Sequence, residues 1–407
     1  MKMNLWTAGL VAMGAVSVAS VASADDSANS VLTSLSSSTL SGYVDTSAQW
    51  NLGTGDKNAP AYAFGGASKA DGFNLNVVKL TLEHAPDAND GWGAGYKVDL
   101  LFGPDADALG TQSTGVAGDF GIKQAYVDLK VPVGNGLDFK VGVWDTIIGY
   151  ESFESVNDPN FTRSYGYTIE PTTHTGVLGT YQFCEAASGS VGVANTFGPA
   201  INSRAFSPTG APGFQAESYK TYMGSLAITA PTNWGWVGGS TLNAGIINGF
   251  NIKSPVTINQ GTGHADQTSY YAGITLNTPL SALKFGAAYD YVIVGTEHEF
   301  GVKASRANAA GIYAAYQLCE KCSINARGEY FFQTKQNATA GLPSKVLEGT
   351  LTLQYDLWKN VLSRVEFRWD HQADGTGLAY GAPSAEPILH GSLRNSYELI
   401  ANIAYKF

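Results

Sequence analysis

The sequence predicts an all-β protein, a transmembrane antiparallel β-barrel of about 16 strands with short turns at one rim and long loops at the other. Three observations carry this expectation. Only 14% of the 407 residues are charged, while mean hydropathy lies near zero. From Leu40 onward, apolar and polar residues alternate in repeated segments, and the last of these ends on Phe407.

A typical soluble domain carries about a quarter charged residues, so this chain has little surface to offer water. Yet beyond residue 24 no apolar run reaches the roughly 18 residues that a spanning helix needs. Apolar residues diluted one for one by polar ones suit strands that meet lipid on one face and water on the other. The N-terminus reads differently. Lys2 supplies a positive start, Leu5 to Val21 an apolar stretch, and Ala22-Ser23-Ala24 a small-residue cleavage site. Residues 1–24 are therefore expected to be a cleaved signal peptide, 25–39 a Ser-rich segment and 40–407 the barrel domain. Removing Lys2 leaves 23 of the 24 basic residues against 34 acidic ones, a mature net charge of −11. That acidic excess argues against nucleic acid as a partner.

Segments begin near Leu40, Phe73, Gly91, Phe120, Gly136, Thr175, Gly189, Ser218, Trp236, Thr268, Ala282, Asn308, Lys321, Lys345, Asn360 and Leu393. In the third, Trp92, Ala94, Tyr96, Val98 and Leu100 share one face against Gly93, Gly95, Lys97 and Asp99. Near the end, Val361, Val365, Phe367 and Trp369 oppose Arg364, Glu366, Arg368 and Asp370, so charge falls on one face only. A soluble sandwich also alternates, but its strands average about five or six residues, whereas these run to about ten or more. Aromatic residues such as Trp92, Phe102, Tyr355, Trp369 and Tyr405 collect at the ends of the apolar faces, as girdles at two lipid interfaces would. With Val141, Phe367 and Ile403 assigned to lipid, arginine is expected to be costly there and tolerated at Lys140 or Glu366.

Short breaks, such as Pro132 to Asn135 and Leu357 to Lys359, take turns with long ones, such as Asn51 to Gly72 and Ile148 to His174. In bacterial barrels the short turns are periplasmic and the long loops extracellular. This places Cys184 and the Cys319-Glu320-Lys321-Cys322 pair in periplasmic turns. A turn-closing disulfide between Cys319 and Cys322 is expected, with plain thiols as the alternative, and Cys184 is expected to stay unpaired. In the last strand Leu399, Ala401, Ile403, Tyr405 and Phe407 share one face, which looks like the assembly signal read by the barrel-assembly machinery.

The chain resembles the OmpL-like family of outer-membrane β-barrel porins. The resemblance lies in Leu40-Ser41-Gly42-Tyr43-Val44-Asp45, in Ile122-Lys123-Gln124-Ala125-Tyr126-Val127, in Gly142 through Trp144 to Tyr150, and in Arg163-Ser164-Tyr165 leading to Pro171 and His174-Thr175-Gly176. It implies an outer-membrane location in a Gram-negative cell, lipid as the surrounding partner, and passive diffusion of small polar solutes and ions. Some related barrels carry a long periplasmic anchoring region before the first strand, where this chain has only Asp25 to Thr39. About sixteen strands leave an aqueous channel unless a plug fills it, and a homotrimer is expected by analogy with porins of that size. Two other classes compete. A blocked structural or adhesive barrel would need a plug, and only about fifteen residues precede the first strand. A barrel-embedded hydrolase would need a nucleophile with its base. The chain has no GxSxG elbow and no HExxH spacing, and His84, His174, His264, His298, His371 and His390 are scattered. No enzyme activity, metal or cofactor is therefore expected.

The connection from Ile148 to His174 is unlike the others. It carries Glu151, Glu154, Asp158 and Glu170 against Arg163 alone, together with Tyr150, Phe153, Phe161, Tyr165 and Tyr167. A solvated outer loop has no need of so many aromatics, so this one is expected to fold into the lumen and pack against the wall. Its acids would then face Arg327, Arg364 and Arg368, and Arg394 on the last strand, across the narrowest point. A transverse field and a mild cation preference would follow. The alternative is a loop that caps the outer mouth with its charges solvated.

Overall fold

The computed structural model describes residues 38–53, 58–86, 91–113, 118–205, 219–250, 266–296, 304–334, 343–375, 378–381 and 391–407. The expected signal peptide 1–24 and residues 25–37 of the Ser-rich segment lie outside the described residues. The strands are β1 (Thr39–Asn51), β2 (Gly72–His84), β3 (Gly93–Phe102), β4 (Phe120–Val131), β5 (Leu137–Asp145), β6 (Thr173–Cys184), β7 (Ala187–Ala194) and β8 (Thr221–Thr229). They continue as β9 (Thr241–Phe250), β10 (Asp266–Asn277), β11 (Leu283–Val294), β12 (Ser305–Cys319), β13 (Cys322–Gln333), β14 (Lys345–Trp358), β15 (Val361–Gln372) and β16 (Asn395–Lys406). Each pairs antiparallel with its chain neighbours, and β1 pairs with β16 to close the barrel. At that seam Gly42 N–H donates to Phe407 O at 2.9 Å and Phe407 N–H to Gly42 O at 3.0 Å. Closure leaves no strand edge, which a lipid environment demands.

Alternation sorts the side chains. Val141, Phe367 and Ile403 are 42%, 42% and 51% exposed on the outer face, while Arg364, Glu366, Arg368 and Asp370 are buried inside. Exposed aromatics form two belts, with Trp50, Phe73, Phe120, Tyr222 and Tyr397 toward the loop rim and Trp92, Phe183, Tyr355, Trp358 and Tyr405 toward the turn rim. Phe367 lies at the middle of β15. Phe367→Arg is expected to cost about 2 to 4 kcal/mol in folding titrations into lipid vesicles, and Lys140→Arg close to nothing. Equal costs at the two positions would show that the faces are misassigned. Tolerance of arginine does not extend to Glu366, whose carboxylate accepts from Thr352 Oγ1 at 2.6 Å and from two loop amides. A cation there would meet the two amide donors in place of the carboxylate they need.

Strand starts fall within a few residues of the positions expected from alternation, except at β9, which begins at Thr241 rather than near Trp236. Gly235 and Gly239 adopt φ of 68° and 81°, a left-handed backbone that curls the chain through a 3-10 turn at Gly235–Val237 before a strand can form. Bulges break the alternation elsewhere. Between β3 and β4 the register shifts at Asp99/Leu100, so Lys123 and Gln124, adjacent in sequence, are both buried.

The disulfide expectation is not met. Cys184, Cys319 and Cys322 are free thiols. Cys319 and Cys322 are direct cross-strand partners about the Glu320-Lys321 turn. In a two-residue hairpin such partners form the hydrogen-bonded kind of pair, which holds side chains at the wider of the two antiparallel spacings.

Candidate functional site

Residues 146–172, between β5 and β6, cross the barrel interior. The stem is pinned where Thr146 N–H donates to Thr172 O at 2.8 Å, extending the β5–β6 pairing by one rung. Ile148 then packs beside Trp144, Leu178, Met223 and Ile247 in an apolar cluster against the wall. Tyr150 stacks on Tyr313 of β12, with centroids 4.2 Å apart, and shares a hydrogen bond with Thr275 of β10 at 3.1 Å. The wall makes room for it at Gly286, where a Cβ would overlap the Tyr150 hydroxyl.

From there the loop reaches the opposite wall and returns. Glu154 pairs with Lys79 of β2 at 2.5 Å and Lys123 of β4 at 3.0 Å. Lys79 also meets Asp99 at 3.0 Å, and Lys123 is paired with Asp145. Burial alone would raise the Glu154 carboxyl, but Lys123 and Lys79 hold it well below the usual range. The Ser155 hydroxyl donates to Asp45 of β1, and Lys406 of β16 donates to Val156 O at 2.9 Å. On the way back the Phe161 and Thr162 amides donate to Glu366, and Ser164 caps the short helix α1 (Tyr165–Ile169) through a 3.0 Å bond from Tyr167 N–H. The first two α1 amides, of Tyr165 and Gly166, donate to Glu329 of β13 at 2.6 and 2.7 Å. The Tyr165 hydroxyl donates to Asp370 of β15 at 2.7 Å.

The residues expected to form a constriction are brought together with one exception. Glu151 accepts from Arg327 at 2.8 Å and from Ser164 N–H at 2.7 Å, tying both arms of the loop to β13. Arg327 also holds Glu348 at 3.2 Å and Thr162 O at 2.6 Å. Asp158 accepts from Ser152 N–H at 2.9 Å and stands 3.6 Å from Arg163. Burial pushes its carboxyl up to about 7 against the pull of Arg163. Glu170 is also pushed well above the usual range, first by burial and then by Asp290 facing it. Arg364 donates to Ser155 O at 2.8 Å and Arg368 to Arg163 O at 2.7 Å, so these two bind loop carbonyls rather than loop acids. The exception is Arg394. It precedes β16, is exposed at the loop rim, and among the described residues its side chain reaches only Gly375 O at 3.5 Å.

The alternative of a loop that caps the mouth with solvated charges does not hold, since Glu151, Glu154, Asp158 and Glu170 are all buried. Nor do acids and arginines face each other across an open gap. Glu151 closes on Arg327 and Glu154 on Lys79 and Lys123, while Arg364 and Arg368 take loop carbonyls, because a buried charge needs a partner at hydrogen-bond distance. Sequence reasoning missed Lys79, Lys123, Asp290, Glu329 and Glu348. The inward parity of their strands could have found all but Lys123, which the β4 bulge turns inward. Open volume remains as a cavity of about 350 Å³ between the Gly149–Phe153 arm and the turn-side ends of β9 to β12.

Comparison with known proteins agrees with this architecture. Residues 37–403 match the family model described as "Putative beta-barrel porin-2, OmpL-like". Similar solved folds include the outer membrane channel DcaP of Acinetobacter baumannii, at 12% identity and a TM-score of 0.59, covering 91% of this chain and 97% of that one. An anion-selective porin from Comamonas acidovorans gives 13%, 0.60, 91% and 99%, and OmpF of Salmonella typhi gives 14%, 0.57, 91% and 97%. No curated protein matches the chain. At such identities the solved structures share the fold, and it is the family match over almost the whole barrel that decides membership: the chain belongs to the OmpL-like beta-barrel porin family and is an outer-membrane porin.

Proposed function

We propose that the barrel passes small polar solutes and ions by passive diffusion and that residues 146–172 form its constriction. The observation that carries this reading is the loop's span: one 27-residue connection touches β1, β2, β4 and β10 to β16 from inside. A loop held by buried pairs on so many strands narrows the lumen permanently rather than transiently. The net charge, −10 for the full sequence and −11 once the expected signal peptide is removed, steers ions at the surface. Inside, selectivity depends on which charges lack a partner, so the cation preference suggested by the acids is reduced by their pairing. A trimer and recognition of Leu399, Ala401, Ile403, Tyr405 and Phe407 by the assembly machinery belong to the same reading. The latter residues line the outer face of the closing strand.

Purified protein in planar bilayers is expected to show discrete conductance steps in simple salts, and absence of steps would remove the channel reading. Glu154→Gln is expected to shift the reversal potential in a salt gradient toward anions, because Lys79 and Lys123 lose a shared counter-charge. An unchanged potential would place Glu154 outside the permeation path.

A further inference from the structure

The five consecutive strands β6 to β10 contain a single Asp, Glu, Lys or Arg, Asp266, and it stands at the loop-side end of β10. Among the described residues, the contacts of the constriction loop that involve a charged group are made elsewhere, to β1, β2, β4, β11, β12, β13, β15 and β16. The lumen is thus divided into a charged arc bound to the loop and an uncharged arc. The 350 Å³ cavity lies against part of the uncharged arc and the two strands that follow it, with Thr241, Asn243 and Thr275 on its wall and the stacked Tyr150 and Tyr313 beside them.

Among the charged side chains that line this cavity, Lys123, Glu151 and Asp145 are engaged in ion pairs, Asp158 faces Arg163, and Glu170 faces Asp290. Lys284 is different. It is exposed on the lumen side of β11 near the turn rim, and among the described residues it has no ion pair or side-chain hydrogen bond. It is therefore the one lining charge whose field is not cancelled at contact distance, and in a narrow low-dielectric passage an uncancelled charge dominates selection.

We propose that solutes cross along this neutral arc and that Lys284 is its specificity-determining residue, favouring small hydroxylated monocarboxylates of the sugar-acid class. The ammonium group meets the carboxylate as a point charge. Hydroxyl and amide groups of Thr241, Asn243 and Thr275 exchange hydrogen bonds with solute hydroxyls, and the tyrosine rings offer a flat face to C–H surfaces. The preference is for transit and not for tight binding, since one exposed lysine leaves the solute free to depart. This assignment rests on the porin reading above and names the solute class for the same passage.

The test uses the whole barrel in liposomes, with swelling rates in glucose and in gluconate, and reversal potential in a potassium chloride gradient. Lys284→Gln is expected to lower the gluconate-to-glucose ratio severalfold and to move the reversal potential toward cations. Lys284→Glu should move both further. Lys359→Gln, in the turn between β14 and β15 and outside the cavity, is expected to change neither. A gluconate-to-glucose ratio that is the same in wild type, Lys284→Gln and Lys284→Glu would overturn the proposal while leaving the channel intact. Absence of swelling by either solute in the wild type would overturn the porin reading beneath it.

Discussion

Deleting Glu151 through Tyr167 is expected to raise single-channel conductance by roughly threefold to tenfold, because a sixteen-stranded ring without its internal loop is an open aqueous channel. The barrel should survive the deletion. All sixteen strand pairings are made between strands, and the closing Gly42–Phe407 bonds lie at the turn rim, independent of the loop. The wall also keeps much of its own charge balance, since Arg327 retains Glu348, Arg368 retains Asp370 and Lys79 retains Asp99. What the wall loses is cover, as Glu329 and Glu366 give up amide donors from the loop and become hydrated in a wider lumen. Conductance in planar bilayers before and after deletion measures this directly. If the two values coincide, the loop does not narrow the passage and the constriction lies elsewhere.

Much of the barrel was legible in the chain, because a strand between lipid and water must alternate and because each turn interrupts that alternation visibly. The errors have local causes. Trp236 continues an apolar pattern into a turn that two left-handed glycines create, and alternation cannot register φ. Lys123 beside Gln124 gives no sign of which residue a bulge will turn inward. Arg394 has the parity of the lumen face but sits before the strand begins, so it has no face at all. The loop's aromatics pointed to its insertion, and Phe153, Tyr165 and Tyr167 are indeed buried inside the ring. The geometry of its charges was another matter. A sequence lists acids and bases by segment, whereas a field depends on the gap between them, and here the gap has closed to hydrogen-bond length.

Arg327 is where that closure matters most. Its side chain is fully buried and binds Glu151, Glu348, Thr350 and both the carbonyl and the hydroxyl of Thr162. Glu329 and Glu348 lie on the same stretch of wall, so one guanidinium serves as counter-charge for a cluster of carboxylates. Arg327→Met keeps most of the volume and removes the charge, leaving Glu151 and Glu348 buried with donors but without a cation. Removing one partner of a buried pair costs about 3 to 5 kcal/mol, and the least expensive way for the protein to recover it is to release the loop into water. The expected outcome is therefore a folded barrel whose loop is cleaved by protease between Phe161 and Tyr167 and whose current is larger and noisier than in the wild type. Arg394→Met, at the exposed rim, is expected to change neither property. Glu151→Gln combined with Arg327→Met should restore part of the protection, because the second change removes one of the stranded charges and contacting residues couple non-additively. Should the loop of Arg327→Met resist protease as well as the wild type does, with the same quiet current, the docking energy would reside in the Glu366, Glu329 and Tyr150 contacts instead and Arg327 would be dispensable to the constriction.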